Sequence, residues 1–525
     1  MNRRLHHAVR SFFVASAVGL VAPVTVEAQC ETFALSLDDT GVFAPTTVAM
    51  DPFDLSADGM TLAIGAAVDR QGSLHSVGSV LVYRRETSGA WTLDEKILNP
   101  DPALGDQFGW SVALSGDGRA LVVGALTDDI AGQNSGAVYV YGRTDSGWTL
   151  FDRLEPSDYS TGDLFGASVG ISSDGSTIVA GATNTDTVRV FERAGTRWIE
   201  QAAFDASSTQ SGDRFGESLD LSADGDTLLV GAPRVRNARG AFEGAAYIFE
   251  RDGSNWSESA MIRPETSTGV SFGWALALAQ DGSAAAIGSP GESPDGLQFG
   301  AAYIFERHGD DWREALRVTS DLASIEAPFA IDMSVDGDGD TALFPVPAGR
   351  LDTPGEILVY RKSGDDWVAG PTIRSADPDP LRVFAVRAGL EAAGATVAAL
   401  SSRASFDDIT VSFHSLGAGC DLVLSAPAPG LAGQVNSITA NWQNVGDRIQ
   451  FAFSTRTGSV AIPGCPGVTT DLARPTLIGE AIVDSNHEAI VNAFVPPGAS
   501  GTRVFLQALQ SDACAVSNLV EHQFP

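Results

Sequence analysis

The chain has 525 residues, 44% hydrophobic and 56 of them glycine, which excludes a disordered polymer and is enough for two or more domains. Its formal net charge of −33 makes nucleic acid a poor partner. The acids are scattered rather than blocked, so the charge reads first as solubility and only second as cation binding.

Arg3, Arg4 and Arg10 head an uncharged apolar stretch, Ser11 to Val24, and Val26-Glu27-Ala28 offers small residues for cleavage. The pattern predicts a secretory signal peptide over residues 1–28, too short for a membrane span. Its removal leaves 30 basic against 65 acidic residues, a charge of −35. No later segment is long and apolar enough for a transmembrane helix. The expected location is secreted: extracellular, attached at the cell surface, or periplasmic.

One pattern then recurs along the chain. Phe53 opens FDLSADGMTLAIGAA; Phe108, Phe165, Phe215, Phe272, Phe329 and Phe384 open relatives of FGESLDLSADGDTLLVGAP. Each is followed by a variable loop and a third apolar run, such as AVYVYGR at Ala137 or AYIFER at Ala246. A fourth run opens with Trp91, Trp148, Trp198, Trp256, Trp312 or Trp367, at intervals of 57, 50, 58, 56 and 55 residues. Four strands per period of this size predict a β-propeller. Asp-Gly supplies the turn between strands one and two, because the pair tolerates positive φ. The apolar second strand fits burial on both faces, and its Gly-Ala end fits close approach of a neighbouring backbone.

Phe-Gly, about a dozen residues, then Gly-Ala-Pro resembles the FG-GAP repeat of integrin α-chain propellers and their bacterial relatives, over roughly residues 31–416. The resemblance implies seven four-stranded blades, which agrees with the count of copies. The seventh copy lacks a Trp strand, and the run ETFALSL at Glu31 to Leu37 is expected to complete it. Cys30 and Cys420 would flank that junction, so the expected disulfides are Cys30–Cys420 and, by remainder, Cys465–Cys514, one of three possible pairings. The predicted domains are therefore a signal peptide at 1–28, a seven-bladed propeller at 29–420, and a small β-sandwich at 421–525, where SITANWQ, RIQFAFS, EAIVNAFV and TRVFLQAL alternate.

Little chemistry is concentrated in any one place. The Ser-x-Asp-Gly turns lack the inserted acids of a calcium loop; Asp332, Asp336 and Asp340 come nearest, with no added residues to wrap an ion, so no metal or other cofactor is expected, and calcium at that triplet is the alternative. No catalytic residues are assigned. Integrin-like propellers bind ligands on an upper face formed by the loops between strands two and three and the connections from strand four to strand one. The fourth of those loops holds Arg234, Arg236, Arg239 and Phe242, and the fifth holds Phe299; arginine beside an exposed aromatic is a common interface pairing. The expected function is non-enzymatic recognition or adhesion, with a protein or polysaccharide ligand. The alternatives are a propeller hydrolase or lyase acting on extracellular glycans, for which clustered, perturbed carboxylates at the channel would speak, and a structural surface or matrix protein.

Overall fold

The computed structural model describes residues 31–36, 52–86, 91–158, 160–264, 271–292, 300–320, 329–347, 355–370, 372–374 and 382–393, and then mainly strand segments between 396 and 523. The expected signal peptide, all four cysteines with both expected disulfides, and Phe299 lie outside the described residues.

The described structure is all-β, without a helix, and is built from repeated four-stranded antiparallel sheets resembling propeller blades. Sheet A runs Phe53–Leu55, Thr61–Ala66, Ser79–Arg85, Trp91–Leu98; sheet B runs Phe108–Leu114, Ala120–Ala125, Ala137–Thr144, Gly147–Leu154. Sheets C (165–204), D (219–262), E (276–318) and F (334–369, with Ile373–Arg374 on its third strand) repeat that order. Sheet G takes Arg382–Leu390, Thr396–Arg403 and Ile409–Ser415 from one stretch of chain and Glu31–Ser36 from the other end. Glu31–Ser36 pairs antiparallel with Ile409–Ser415, Ala34 opposite Ser412.

Each second strand is buried along its whole length in sheets A, C, D, E and F. Burial on both faces is why these runs do not alternate. The outer strands do alternate: Asn255–Ile262 reads exposed and covered in turn. The phenylalanines that open the repeats, Phe108, Phe165, Phe215, Phe272 and Phe329, are essentially inaccessible. Each such side chain contributes roughly 1.5–3 kcal/mol by burial.

Phe-Gly does not simply start a strand. In sheets D and E the first strand begins four residues after the Phe, and in sheets B and C the ladder slips between Phe108 and Ser111 and between Phe165 and Val169. The glycine after the Phe takes positive φ, as at Gly273 (84°). The carbonyl of Gly273 lies against Gly231 of the preceding Gly-Ala-Pro, where a Cβ would meet it at 2.1 Å. The two halves of the repeat thus pack against each other across adjacent sheets.

The Ser-x-Asp-Gly segments are turns. Ser222 Oγ donates to Asp224 Oδ1 (2.6 Å), Thr227 N–H donates to Ser222 Oγ (2.9 Å), and Gly225 has φ 75°. The residue between Ser and Asp has a further task. Asp58 N–H bonds to Gly116 O, Gly116 to Ser173, Ser173 to Ala223, Ala223 to Gln280, Asp281 to Gly337, Gly337 to Ala392, and Ala392 to Ala57. This chain of backbone bonds returns to its start.

After the repeats, Val423–Leu424, Val435–Asn441 and Glu488–Phe494 form one sheet. Thr476–Ile482, Arg448–Ser454, Arg503–Gln510 and Ala515–Val516 form another, with Val520–Gln523 also on Arg503–Gln510. Thr457–Ala461 pairs with Thr469–Leu472. Ile449, Phe451, Leu506 and Ala508 are buried on this tail.

Candidate functional site

Two places concentrate polar groups: a central channel and one upper loop. The channel, about 300 Å³, is lined by the first strands and by the turn residues, including Asp54, Ala113, Gly170, Asp220, Ala277, Ser334 and Gly389. These seven occupy one column of the repeat, small in most copies and acidic in two. Asp54 Oδ2 accepts Leu114 N–H (2.7 Å), Asp220 Oδ2 accepts Leu278 N–H (2.8 Å), and Ser334 Oγ accepts Leu390 N–H (3.1 Å), each from the first strand of the next sheet.

Burial pushes Asp54 up to about 7, the charge of Asp220 adding to the rise while the Leu114 and Leu55 amides oppose it. Burial also pushes Asp220 up to about 6, against the pull of the Leu278 and Leu221 amides. These aspartates were not singled out from the sequence; an acid in a column of Ala and Gly was the signal available.

Two carboxylates of the calcium-like triplet, Asp332 and Asp336, are spent on backbone. Asp336 Oδ1 accepts the N–H groups of Asp340 and Thr341 (both 2.9 Å), the part that Ser222 Oγ plays for Thr227. Asp332 Oδ2 accepts Ala388 N–H (2.9 Å). Among the described residues no group of three or more His, Cys, Asp or Glu is placed to hold a metal ion.

The connections into sheets B to E bond to a two-to-three loop beside them, so these segments share one face: Gln107 N–H donates to Ser76 O and Arg234 N–H to Asp213 O. Acids latch several of these loops. Asp69 takes Ser79 Oγ and Lys96, Asp128 takes Tyr139 Oη, and Glu292 takes Tyr303 Oη (2.5 Å) and Arg317.

The fourth loop is built differently. Val235 is anchored in the core, and Arg236 and Phe242 form a bridge that makes a short hairpin. Asn237 holds the tip: its Oδ1 accepts Arg239 and Ala241 N–H (2.9 and 3.0 Å), and its Nδ2 donates to Glu243 (2.6 Å). The Arg236 guanidinium lies 3.9 Å from the centre of the Phe242 ring and donates to Gly240 O. Arg234, Arg236 and Arg239 are exposed, and none has a carboxylate partner among the described residues, although the chain carries −33. The structure therefore gathers Arg234, Arg236, Arg239 and Phe242 on one ordered tip.

Among the described residues no helix is long and apolar enough to cross a membrane. No curated protein matches the sequence. The chain is similar to hydrazine synthase of Kuenenia stuttgartiensis (14% identity, 70% of this chain and 96% of that chain, TM-score 0.45). It is also similar to the periplasmic gluconolactonase PpgL of Pseudomonas aeruginosa (18%, 62% and 84%, TM-score 0.42) and to the WD40 repeats of RRP9 (10%, 74% and 99%, TM-score 0.48). The FG-GAP repeat family matches residues 91–141, 148–195 and 198–249, each match opening at or on an outer-strand residue, Trp91, Trp148 or Trp198, and running into the next sheet. The chain carries FG-GAP repeats in three tandem copies.

Proposed function

We propose that the protein is a secreted, non-enzymatic recognition or adhesion propeller that binds an acidic protein or polysaccharide through its upper loops. The unpaired arginine hairpin carries this reading. A folded chain of this charge has acids to spare, yet these three guanidinium groups are held apart from them, and guanidinium is suited to bidentate capture of carboxylate or sulfate. In this reading sheets A to G are the seven blades of one ring, closed by Glu31–Ser36, and the tail sheets are a small β-sandwich; the returning chain of turn bonds supports the ring. A glycan-array and pull-down screen with the purified protein tests it, with Arg234→Ser/Arg236→Ser/Arg239→Ser as control. Binding to nothing in either screen would sink the proposal.

A second reading has one observation in its favour: two aspartates with raised pKa in one channel. A hydrolase or lyase acting on extracellular glycans would use Asp54 as acid and Asp220 as base. Both carboxylates already accept backbone amides, which is the work of a strand cap and favours the first reading. Release of reducing ends from a glycan panel, lost in Asp54→Asn and Asp220→Asn, would instead support the enzyme.

A further inference from the structure

The far end of the arginine hairpin is tied to the connection that enters sheet E. Phe272 N–H donates to Glu243 O (3.0 Å), and Gly244 forms a parallel bridge with Phe272. A Cβ on Gly244 would meet Phe272 O at 2.1 Å, so the two backbones are in contact. Residues 271–274 therefore run beside the foot of the hairpin that carries Arg234, Arg236, Arg239 and Phe242.

Trp274 sets this segment apart. It stands two residues after the Phe that opens its repeat, in a column with Trp110, Ala167, Glu217 and Ile331. Those four are half-buried, whereas Trp274 is 37% exposed. One sheet earlier the column is closed by charge, since Glu217 takes Arg214, three residues before it (2.8 Å). Three residues before Trp274 stands Ser271, which carries no charge. The indole makes no hydrogen bond and no ring contact among the described residues. Phe242 differs, because the Arg236 guanidinium already covers its ring at 3.9 Å.

The acids of this face are engaged within the fold. Asp213 is buried and accepts Gln210 N–H (2.7 Å). Glu217 has Arg214 as its cation, and Glu243 has Asn237 Nδ2–H (2.6 Å) and Arg263 (3.8 Å). With Arg263, the segments 213–217, 233–244 and 271–274 hold five arginines against three acids, in a chain with twice as many acids as bases.

We propose, on the recognition reading given above, that Trp274 and the arginine hairpin form one binding surface for a polysaccharide built of uronate sugars, the hairpin taking carboxylates while the indole stacks on a sugar ring. Of the two ligand classes in that reading, the indole favours the polysaccharide. A pyranose presents a flat C–H face and a hydroxyl edge together, which suits an indole offering both a ring face and an N–H. The carboxylate of a uronate is fixed directly to the ring, so ring and charge arrive as one rigid unit and little conformational freedom is lost on binding. An acidic peptide reaches the guanidinium groups through flexible side chains and makes no use of the indole. Three guanidinium groups lie within the six residues from Arg234 to Arg239, so a polymer with a carboxylate on every ring engages more than one of them.

The test is calorimetric titration of the full chain with tetragalacturonate, with pentaglutamate, maltotetraose and sulfated maltotetraose as the other arms. It is read beside the indole ¹⁵N–H spectrum, with the Trp274 resonance assigned by its loss in Trp274→Phe. The expected result is saturable binding of tetragalacturonate that shifts the Trp274 resonance, and no response to maltotetraose. Trp274→Ala should weaken that binding about tenfold or more, and Trp274→Tyr, which keeps a ring, should restore it to within about threefold. Tetragalacturonate binding that is unchanged in Trp274→Ala but lost in Arg234→Ser/Arg236→Ser/Arg239→Ser would overturn this proposal and leave the recognition reading standing. Pentaglutamate or sulfated maltotetraose binding more tightly than tetragalacturonate would overturn it too, giving the same loops a different ligand. Tetragalacturonate binding that survives the triple variant, or no binding of any anionic probe up to about 5 mM, would overturn the recognition reading as well.

Discussion

The backbone N–H of Ala392 donates to the carbonyl of Ala57, 3.3 Å away, and joins the last repeat to the first. The same kind of bond links the turns between them, and at Gly116 the small residue in Ser-x-Asp-Gly allows close approach of the neighbouring turn. A Cβ on Gly116 would come within 1.9 Å of Ser173 Oγ. Gly116→Val should therefore lower stability by roughly 2–4 kcal/mol, read by urea unfolding. An unchanged midpoint would show that the turns need no contact.

Gly231 makes the matching prediction for the packing between sheets. Its missing Cβ leaves room for the carbonyl of Gly273, which is backbone and cannot turn away. Gly231→Ala should destabilise by roughly 2 kcal/mol or more, whereas Gly253→Ala, in open space though at φ 63°, should cost less. Thermal melts of the two variants decide it, and equal losses would contradict the packing argument.

The channel aspartates set a pH dependence. Asp54 and Asp220 have folded pKa values near 7 and 6, above the ordinary 3.8, so the folded chain holds protons that the unfolded chain releases. Stability should fall as pH rises from about 4 to about 7, by at most roughly 4 kcal/mol for Asp54. Asp54→Asn keeps an acceptor for Leu114 N–H and removes the charge. It should flatten part of that slope and be the more stable protein at pH 7.5; an unaltered slope would mean Asp54 is not the group titrating.

Glu292 is a buried latch of the fifth loop, 1% exposed and held by Tyr303 and Arg317. Arg317→Met leaves that carboxylate without its cation and should cost about 3–5 kcal/mol. Glu292→Gln, which removes the charge as well, should cost less. The opposite order in chemical denaturation would contradict the assignment of the ion pair.

Much of the fold was legible because its devices repeat. Phe215, Asp224-Gly225 and Gly231-Ala232 each returned in phase, and a one-off loop cannot do that. The cause of the Phe-Gly pair was not legible: beside the slip after Phe108, the carbonyl of Gly109 meets Gly65 of another sheet, 44 residues earlier in the chain. Asp54 and Asp220 were passed over because their burial is created by the ring, not by their neighbours in sequence. The arginine cluster could be read from composition, but that Arg234 and Arg239 lack acidic partners, and that Asn237 holds the tip, are facts of folded geometry.

The central claim is that the fourth loop is an anion-recognition surface. Biolayer interferometry of the immobilised full chain against polyglutamate, polygalacturonate and neutral dextran tests it most directly. The account predicts binding of at least one polyanion, none of dextran, and a loss of about 100-fold in Arg234→Ser/Arg236→Ser/Arg239→Ser. Equal binding by the wild-type and triple-variant proteins, or no polyanion binding at all, would contradict it.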